Sequence, residues 1–325
     1  MKWLITGGCG FIGTSLIGQL IKEGGHCIRV IDNLSVGSRD DLSSVCDFKE
    51  TDIDCLAPVS TDTTVELVVG DILDDTLALK VTEGFDVIVH LAANTGVGPS
   101  VEDPRSDCIT NVIGTLNFLE AARINRVRRF VFASSGAPVG ECLPPIHEEL
   151  PAHPESPYGA SKLAGEGYCS AYFRSFGIET VALRFGNVYG PGSGHKNSVV
   201  AKFIRQILAG ETLEIYGDGK QTRDFIYIGD LIRAVCLAAT KDNVGGEIFQ
   251  IATNKETTVS EMFRELMLIV KAAGISEVEV VYGDRRQGDV LRNFSDTSKA
   301  SKILGWRCEM ELARGLSETF NWFSS

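Results

Sequence analysis

The 325-residue sequence contains no apolar run long enough to cross a lipid bilayer, so an integral membrane protein is not expected. Blocks of basic residues are also missing, and 43 acidic side chains outnumber 31 basic ones to leave a formal net charge of −12. Such an acidic chain is a poor candidate for binding nucleic acid or an anionic membrane surface. The apolar stretch at the amino terminus is too short for a secretory signal, which favours a cytoplasmic protein.

Closely spaced cysteine pairs are absent as well. The nine cysteines are scattered, their number is odd, and none belongs to a CxxC pair. A zinc site or a disulfide framework is therefore not expected, and no metal is predicted. The cysteines are interpreted as small, mostly buried hydrophobic residues in a reducing compartment.

What the first half does contain is an alternation of short apolar runs with helical patterns. The predicted strands cover residues 3–6, 27–31, 66–69, 87–91, 130–133 and 181–185, and the predicted helices cover residues 12–23, 77–82, 107–124 and 158–175. Continuous apolar strands separated by helices indicate a parallel sheet covered on both faces. The predicted fold is α/β, a doubly wound, Rossmann-like parallel sheet with a smaller carboxyl-terminal α/β substrate lobe.

The rhythm loosens in the second half, where short strands alternate with predicted helices at residues 199–209, 229–239 and 260–272. Residues 1–186 are expected to form a nucleotide-binding domain, with 228–255 returning to it, and residues 187–325 the smaller lobe. The polar segment 34–64 carries no recognisable element and is longer than most connections in compact domains.

A glycine-rich loop follows the first predicted strand. Its glycines at positions 7, 10 and 13 have a GxxGxxG spacing and lie between a strand and a helix. Glycine permits the tight turn and a close approach to a pyrophosphate, and the helix N-terminus offers free N–H groups to phosphates. The next strand ends in Asp32, at the interval expected of a carboxylate that binds the adenosine ribose. Because this carboxylate would repel a 2′-phosphate, the pattern predicts NAD rather than NADP.

Two further strand ends fit the same dinucleotide. Asp71 follows one predicted strand, where its carboxylate and the nearby backbone can meet the adenine edge. Another strand ends in Leu91, Ala92 and Ala93, of which the alanines are small enough to leave room for the cofactor. His90, just before them, is interpreted as a packed core histidine and is assigned no chemistry.

A tyrosine and a lysine in a YxxxK pattern are the candidate catalytic pair. Tyr158 and Lys162 are four residues apart and would share one face of the predicted helix. A free tyrosine has a pKa of about 10, and a nearby ammonium, joined by a positive nicotinamide ring, favours the phenolate. Tyr158 can then accept a proton from a substrate hydroxyl as a hydride leaves the same carbon, and Lys162 can hold the nicotinamide ribose. Ser135, with Ser134 as the alternative, is predicted to hydrogen-bond the reacting oxygen.

Together these residues resemble the extended short-chain dehydrogenase/reductase family, in particular its UDP-sugar epimerases and dehydratases. Besides the glycine loop and YxxxK, the resemblance includes HLAA at 90–93, NVIGT at 111–115, RFGNVYGPG at 184–192, GDG at 217–219, RDFIY at 223–227, RQGD at 286–289 and LGW at 304–306. These motifs follow one another in the family's order over nearly the whole chain.

The resemblance implies a role for each motif. Asn111 would help to seat the nicotinamide end of the cofactor, and Asn187 would contact the phosphates of a sugar nucleotide. Arg223 and Arg286 would neutralise its diphosphate, a task that suits forked guanidinium donors. Asp289 would bind the nucleotide ribose.

The complete predicted site combines the residues from the patterns with those implied by the resemblance. The predicted cofactor site comprises Gly7, Gly10, Phe11, Ile12, Gly13, Asp32, Asn33, Ser35, Gly37, Asp71, Ile72, Leu91, Ala92, Ala93, Asn111, Tyr158 and Lys162. The predicted substrate site comprises Ser135, Asn187, Val200, Tyr216, Arg223, Arg286, Asp289 and Asn293.

Within this family the reaction depends on the residues that follow the catalytic hydroxyl. A 4,6-dehydratase usually carries an Asp-Glu pair there, and a UDP-glucuronate decarboxylase carries a Glu at the first position. This sequence has Gly136 and Ala137, which cannot transfer protons. The resemblance thus implies NAD-dependent 4-epimerisation of a UDP-sugar through a 4-keto intermediate, with a nucleotide-sugar dehydratase or a UDP-glucuronate epimerase or decarboxylase as the alternative.

The sugar and the assembly follow from the resemblance as well. In the family a residue near Asn293 controls the width of the sugar pocket. Asparagine is intermediate in size, which favours tolerance of N-acetylated sugars, and hexoses and uronic acids remain alternative substrates. The helices at 107–124 and 158–175 would build a four-helix bundle across the two-fold axis of a homodimer. A non-catalytic NAD-binding protein is the remaining alternative.

Overall fold

The computed structural model describes residues 1–57, 65–275, 277–284 and 291–325. The strands are β1 (Lys2–Thr6), β2 (Cys27–Asp32), β3 (Lys49–Glu50), β4 (Val65–Val69), β5 (Val87–His90), β6 (Arg129–Ser135), β7 (Glu179–Phe185), β8 (Asn187–Tyr189), β9 (Leu213–Tyr216), β10 (Thr222–Arg223), β11 (Phe225–Tyr227), β12 (Glu247–Ile251), β13 (Thr257–Thr258) and β14 (Val280–Gly283). The helices are α1 (Phe11–Glu23), α2 (Arg39–Ser43), α3 (Asp75–Thr82), α4 (Val97–Glu102), α5 (Pro104–Cys108), α6 (Gly114–Ile124), α7 (Pro157–Phe176), α8 (Val199–Ala209), α9 (Ile228–Thr240), α10 (Val259–Ala272) and α11 (Leu312–Ser324).

Eight of these strands form one parallel sheet in the order β12-β7-β6-β5-β1-β2-β4-β3. The doubly wound α/β fold is therefore confirmed, and each predicted strand occurs within two residues of its predicted bounds. The chain leaves β4 on one side of β1 and returns as β5 on the other. Ligands of such sheets bind outside the carboxyl ends of the strands at this reversal.

Side chains of the sheet alternate between two apolar cores, one on each face. In β1, Trp3 and Ile5 enter one core and Leu4 enters the other. In β6, Val131 enters the first core and Phe132 the second. Helices α1 and α9 cover the first face, and α3, α6 and α7 cover the second. This double cover explains why the strand sequences are continuously apolar rather than alternating.

The second half of the chain contributes to the first core. Phe203 of α8, Leu266 of α10 and Phe320 of α11 belong to the same continuous apolar cluster as β1 and α1. Strand β12 forms the edge of the large sheet beside β7. The division of the chain into two domains remains a prediction.

Segment 34–64 is more structured over its described part than the sequence suggested. It contains α2, β3 and a short 3-10 turn at Ile53–Cys55, and β3 pairs with β4 at the sheet edge. Both residues of β3 are exposed, so no apolar pattern marks the strand. Helix α2 begins with a capping box in which Ser38 and Asp41 satisfy each other's backbone N–H groups.

The predicted helix 107–124 is also different in detail. The helical segment begins earlier, at α5, where the Asp103 carboxylate caps the backbone N–H of Ser106. It then widens into a π-turn at Ile109–Ile113 before α6. Single π-turns inside helices are frequent at functional sites.

The cysteines are less buried than expected. All nine are free thiols, but only Cys9 and Cys169 are buried, so the prediction of mostly buried cysteines is wrong. The described residues contain no group of side chains arranged to hold a metal ion. Within the same residues, no helix combines the length and apolar character that a membrane crossing requires.

A buried ion pair fixes α7 to the centre of the sheet. Arg184 of β7 donates from Nε and Nη2 to the two carboxylate oxygens of Glu166 in α7, at 2.8 and 2.7 Å. The hydroxyl of Ser134 in β6 donates to the same carboxylate at 2.6 Å. The two charged side chains are 3% and 2% exposed. Removing one member of such a pair leaves the other charge buried without a partner.

The variant Glu166→Ala should lower the free energy of unfolding by about 3–5 kcal/mol, because it strands the Arg184 guanidinium in the core. Urea denaturation followed by circular dichroism measures this change. Glu50→Ala is the matched control, since it removes a bidentate Arg39–Glu50 pair that is exposed. Equal losses in the two variants would contradict a structural role for the buried pair.

Candidate functional site

A cavity of about 530 Å³ opens at the carboxyl ends of β1, β2, β4, β5, β6 and β7. All the residues of the predicted cofactor site except Asn111 line it: Gly7, Gly10, Phe11, Ile12, Gly13, Asp32, Asn33, Ser35, Gly37, Asp71, Ile72, Leu91, Ala92, Ala93, Tyr158 and Lys162. Ser135 lines the same cavity. The glycine loop near the start of the chain and the YxxxK pair at 158–162 thus line the same cavity.

The glycine loop brings α1 close to β1 and leaves the start of the helix open to the cavity. A side chain at Gly13 would place its Cβ 2.5 Å from the carbonyl oxygen of Gly7, so only glycine allows this approach. Gly7 has a φ of +68°, which also favours glycine. No side chain caps the N-terminus of α1 at Gly10. The first N–H groups of the helix are therefore available to phosphate oxygens.

Asp32 has two structural contacts in addition to its exposure to the cavity. Its Oδ2 accepts the backbone N–H of Cys9 at 2.9 Å, and its Oδ1 accepts that of Leu34 at 2.9 Å. Burial raises the pKa of the Asp32 carboxyl, while the two backbone hydrogen bonds oppose that rise. A carboxylate at this place can accept hydrogen bonds from ribose hydroxyls through its remaining lone pairs.

The segment after Asp32 forms one side of the cavity. A Cβ at Gly37 would lie 2.3 Å from the carbonyl oxygen of Cys9, so the segment packs directly on the glycine loop. Asn33 donates from Nδ2 to Oδ2 of Asp71 at 2.9 Å and so joins two strand ends. The first residues of segment 34–64 therefore form part of the site.

Tyr158 and Ser135 face each other across the ends of α7 and β6. The pKa of Tyr158 is lowered by a side-chain hydrogen bond with Ser135, but burial is the larger effect and raises this pKa to about 12. Ser135 Oγ also accepts the backbone N–H of Ala137 at 3.2 Å. The alternative, Ser134, is bound to Glu166 and points its hydroxyl into the buried ion pair. Ser135 is thus the serine positioned beside the tyrosine.

Lys162 lies one helical turn further into the protein. Its ammonium donates to the carbonyl oxygen of Ala133 at 2.9 Å and lies 5.8 Å from the centre of the Tyr158 ring. Burial lowers the pKa of Lys162 to about 8. Desolvation is the largest effect on both groups, so the pKa of Tyr158 lies above its ordinary value although Lys162 is nearby, and the predicted phenolate depends on the nicotinamide charge as well. A phenolate needs a further positive charge in the cavity.

His90 is a core residue, in agreement with its interpretation from the sequence. Its Nδ1 lies 3.0 Å from the Thr6 hydroxyl and its Nε2 lies 3.2 Å from the Thr115 hydroxyl. Burial lowers the pKa of His90 to about 3, so the ring is neutral. It stacks on Phe130 and Phe132 and does not line the cavity.

Asn111 lies behind the cavity rather than in its lining. Its side chain is buried in the π-turn, where Nδ2 donates to Asp107 and Ser161 at 2.9 and 3.1 Å. It also exchanges two hydrogen bonds with the backbone of Asn94, which does line the cavity. Asn111 therefore positions the Asn94 segment from behind, and its direct contact with the cofactor stays a prediction.

Three of the predicted substrate residues, Asn187, Arg223 and Asn293, lie at or beside β10, outside the lining of this cavity. Asn187 donates its backbone N–H to the carbonyl of Asp224 at 2.8 Å, directly after Arg223. Asn293 donates its backbone N–H to the hydroxyl of Thr222 at 3.1 Å, directly before Arg223. Three predicted residues that are far apart in the sequence therefore lie next to one another.

The other predicted substrate residues have different outcomes. Tyr216 ends β9, and the ammonium of Lys202 lies 5.2 Å from the centre of its ring. Val200 is 1% exposed inside α8, and its contact with the substrate stays a prediction. Arg286 and Asp289 lie outside the described residues.

The cavity lining includes further residues that were absent from the predicted site, among them His195, Lys196 and Trp322. His195 and Lys196 follow the RFGNVYGPG motif, and that position was the signal that could have found them. Trp322 comes from α11 near the end of the chain, where no local pattern marks a ligand site. Its ring lies beside Gly194, whose Cβ would be 3.5 Å from it.

The buried lysine predicts a pH-dependent stability for the nucleotide-free protein. The folded-state pKa of Lys162 is about 8, against an ordinary value of 10.5, so between these values the unfolded chain holds a proton that the folded chain has released. Stability should therefore rise with pH through this window. Relative to Lys162→Met, the wild type should gain up to about 3 kcal/mol of unfolding free energy, measured by urea denaturation from pH 8 to pH 10.5.

Lys220→Met is the control for this comparison, since that lysine is exposed and should leave the pH dependence of the wild type unchanged. If the Lys162→Met curve runs parallel to that of the wild type at every pH, then the folded protein does not discharge Lys162.

Comparison with known proteins agrees with this geometry. The model of the "NAD dependent epimerase/dehydratase family" matches residues 3–252. The UDP-glucose 4-epimerase of Mycolicibacterium smegmatis is 35% identical over 99% of this chain and 98% of its own length. The crystal structure of a UDP-glucose 4-epimerase from Thermotoga maritima with UDP-glucose has a TM-score of 0.87 and 33% identity, covering 100% of this chain and 99% of that one.

A second solved structure extends the range of sugars among the relatives. The UDP-N-acetylglucosamine 4-epimerase of Methanobrevibacter ruminantium, in complex with UDP-N-acetylmuramic acid, has a TM-score of 0.87 and 30% identity. It covers 99% of this chain and 98% of its own. The match of the family model and the extent of these similarities confirm the resemblance of the motifs: the chain is an NAD-dependent enzyme that belongs to the epimerase/dehydratase family.

Proposed function

We propose that this enzyme catalyses the 4-epimerisation of a UDP-sugar, either UDP-glucose and UDP-galactose or a UDP-N-acetylhexosamine, through a transient 4-keto sugar. The observation that carries the proposal is the placement of Tyr158, Ser135 and Lys162 in the cavity beside two residues without acid or base groups, Gly136 and Ala137. A Cβ at Gly136 would meet no atom within 4 Å. The site therefore has open space, but no proton-transferring side chain, where a dehydratase of this family carries its acids.

The cavity fits NAD on three observations of the protein itself. The glycine loop would be blocked by any side chain at Gly13, the start of α1 is uncapped, and the carboxylate of Asp32 stands at the end of β2. Bound NAD would accept the hydride that leaves the sugar and return it later, and it would add the positive charge of its nicotinamide ring to the site. That ring is the further charge that favours the phenolate, since Lys162 alone does not outweigh desolvation.

Tyr158, Ser135 and Lys162 then have separate roles in the reaction. The Tyr158 phenolate accepts the proton of the sugar C4 hydroxyl as the C4–H bond breaks and the hydride leaves, which gives a C4 ketone. Ser135 donates a hydrogen bond to the reacting oxygen and keeps it at the tyrosine. After the ketone presents its opposite face, the hydride returns to C4 and Tyr158 gives the proton back. Lys162, close to the tyrosine ring, holds the cofactor ribose and stabilises the negative phenolate.

Substrate recognition is proposed for the cluster around β10. Arg223 would neutralise the diphosphate, and Asn187 would hydrogen-bond its oxygens. Arg286 and Asp289 would complete the nucleotide site, with Tyr216 near the base. Asn293, next to Thr222, would bound the sugar pocket, and its moderate size supports tolerance of an N-acetyl group.

The proposal is tested by following UDP-glucose, UDP-N-acetylglucosamine and UDP-glucuronate with the purified enzyme and NAD by proton NMR. The wild type should convert one or more of them to the C4 epimer at a constant final ratio. Tyr158→Phe should lose roughly 100- to 10,000-fold in rate, because the general base is gone. It should still bind NAD.

Tyr168→Phe is the control, since it removes an exposed phenol of the same helix. Accumulation of a 4-keto-6-deoxy sugar or release of carbon dioxide would instead identify a dehydratase or a decarboxylase. Full activity in Tyr158→Phe would rule out the assigned base. No turnover of any of the three sugars, with NAD bound, would favour a non-catalytic protein.

We also propose a homodimer built from α5, α6 and α7. Ile109 and Ile113 lie on the helical stretch between α5 and α6 and are 38% and 44% exposed. Apolar side chains repeated on one exposed helical stretch are typical of a surface that is covered by a partner. Light scattering should give about twice the chain mass of 35.2 kDa.

Ile113→Glu should convert the dimer to a monomer, because it buries a charge in the proposed interface. Leu268→Glu is the matched control, since Leu268 of α10 is more exposed but lies away from the bundle. A wild type that is monomeric at micromolar concentration would exclude the dimer.

A further inference from the structure

Lys196 is a lysine of the cavity lining whose ammonium has no hydrogen-bond or ion-pair partner among the residues that the structure describes. It lies between the end of β8 and the start of α8, and it is only partly exposed. Within residues 1–57, 65–275, 277–284 and 291–325, no side-chain or backbone acceptor binds its ammonium. Burial lowers its pKa, and its charge in turn lowers the pKa of Lys162, so the two amines share one region of the cavity. A partly buried charge without a partner is costly unless a ligand compensates it.

The other ionisable carboxylates and amines of the lining are already engaged. Asp32 binds two backbone N–H groups, and Asp71 binds Asn33. Lys162 binds a backbone carbonyl, and Asp41 lies 3.3 Å from Nε2 of His195. Lys196 is thus the charge that the described lining leaves for a ligand, and an anionic group is its strongest partner.

The segment that carries Lys196 is held over the glycine loop. A Cβ at Gly192 would be 3.4 Å from the Phe11 ring, which begins α1. Arg205 donates to the carbonyl of Gly194 at 2.7 Å and fixes the segment from the side of α8. The contact of His195 with Asp41 ties it to α2. Segment 190–196 therefore lies beside the uncapped start of α1 and contributes residues to the lining of the cavity.

We propose that Lys196 binds the diphosphate group of a nucleotide beside segment 190–196. If that nucleotide is NAD, the start of α1 would donate backbone N–H groups to one side of the diphosphate, and the ammonium would neutralise the other side. Two bound molecules carry this group, NAD and the UDP-sugar. For the UDP-sugar the inference rests on the proposed function, and for NAD it does not.

Calorimetric titration separates the two sources. ADP-ribose and adenosine are titrated into nucleotide-free protein, and UDP and uridine into NAD-loaded protein, for the wild type and for Lys196→Met. If the cofactor diphosphate is the ligand, the variant should bind ADP-ribose roughly 10- to 100-fold more weakly, as expected for a charge-assisted hydrogen bond. Adenosine, which has no phosphate, should bind both proteins equally.

If the substrate diphosphate is the ligand, UDP should lose affinity by a similar factor while uridine and ADP-ribose do not. Lys196→Arg should restore most of the lost affinity in either case, because it keeps the positive charge. Lys49→Met is the matched control, since it removes an exposed lysine from β3. Thermal melting of each variant verifies that it is folded.

Two outcomes would overturn the proposal. One is unchanged affinity of Lys196→Met for both ADP-ribose and UDP. The other is an equal loss for adenosine or uridine, which would indicate a change of cavity shape rather than a lost charge. Failure of the wild type to bind UDP would count against the proposed function alone, and the ADP-ribose titration would still decide the role of Lys196.

Discussion

The buried contact between Glu166, Arg184 and Ser134 is the constraint on which the active geometry depends. It joins the middle of α7 to β6 and β7. At the adjacent Gly165 a Cβ would lie 2.3 Å from the Phe132 ring, so the helix rests directly on the strand. Because α7 carries Tyr158 and β6 ends in Ser135, the contact fixes the distance between the two hydroxyl groups that are proposed to act on the sugar. A salt bridge in the core thus fixes the relative positions of two side chains at the carboxyl ends of the strands.

The sequence predicted those parts of the fold in which a local pattern of residues follows from a single structural requirement. Continuous apolar strands follow from cover on both faces, and the GxxGxxG spacing follows from the approach of α1 to β1. Strand β3 escaped prediction because Lys49 and Glu50 are both exposed and only the edge of β4 makes them a strand. The hydrogen bonds that join Asn111 to the backbone of Asn94 were not predicted, because a motif does not show whether a side chain touches a ligand or supports the segment that does.

The cofactor half of the site was more predictable than the substrate half for the same reason. Its residues follow strand ends of one sheet, and parallel strands bring their carboxyl ends together. The cluster around β10 is assembled from short strands and backbone contacts such as that of Asn293 with Thr222, which no periodicity reveals. Lys196 and Trp322 enter the cavity from separate segments of the second half, so their place depends on how that half lies against the first.

Asp32 links cofactor choice to the shape of the phosphate loop. The same carboxylate that would exclude a 2′-phosphate also holds the backbone N–H groups of Cys9 and Leu34. Cys9 in turn is the residue on which Gly37 rests. An engineer who exchanges this acid to make the enzyme accept NADP would therefore also release the glycine loop and its neighbouring segment. Redesign of cofactor preference has to supply new acceptors for both backbone groups before it can succeed.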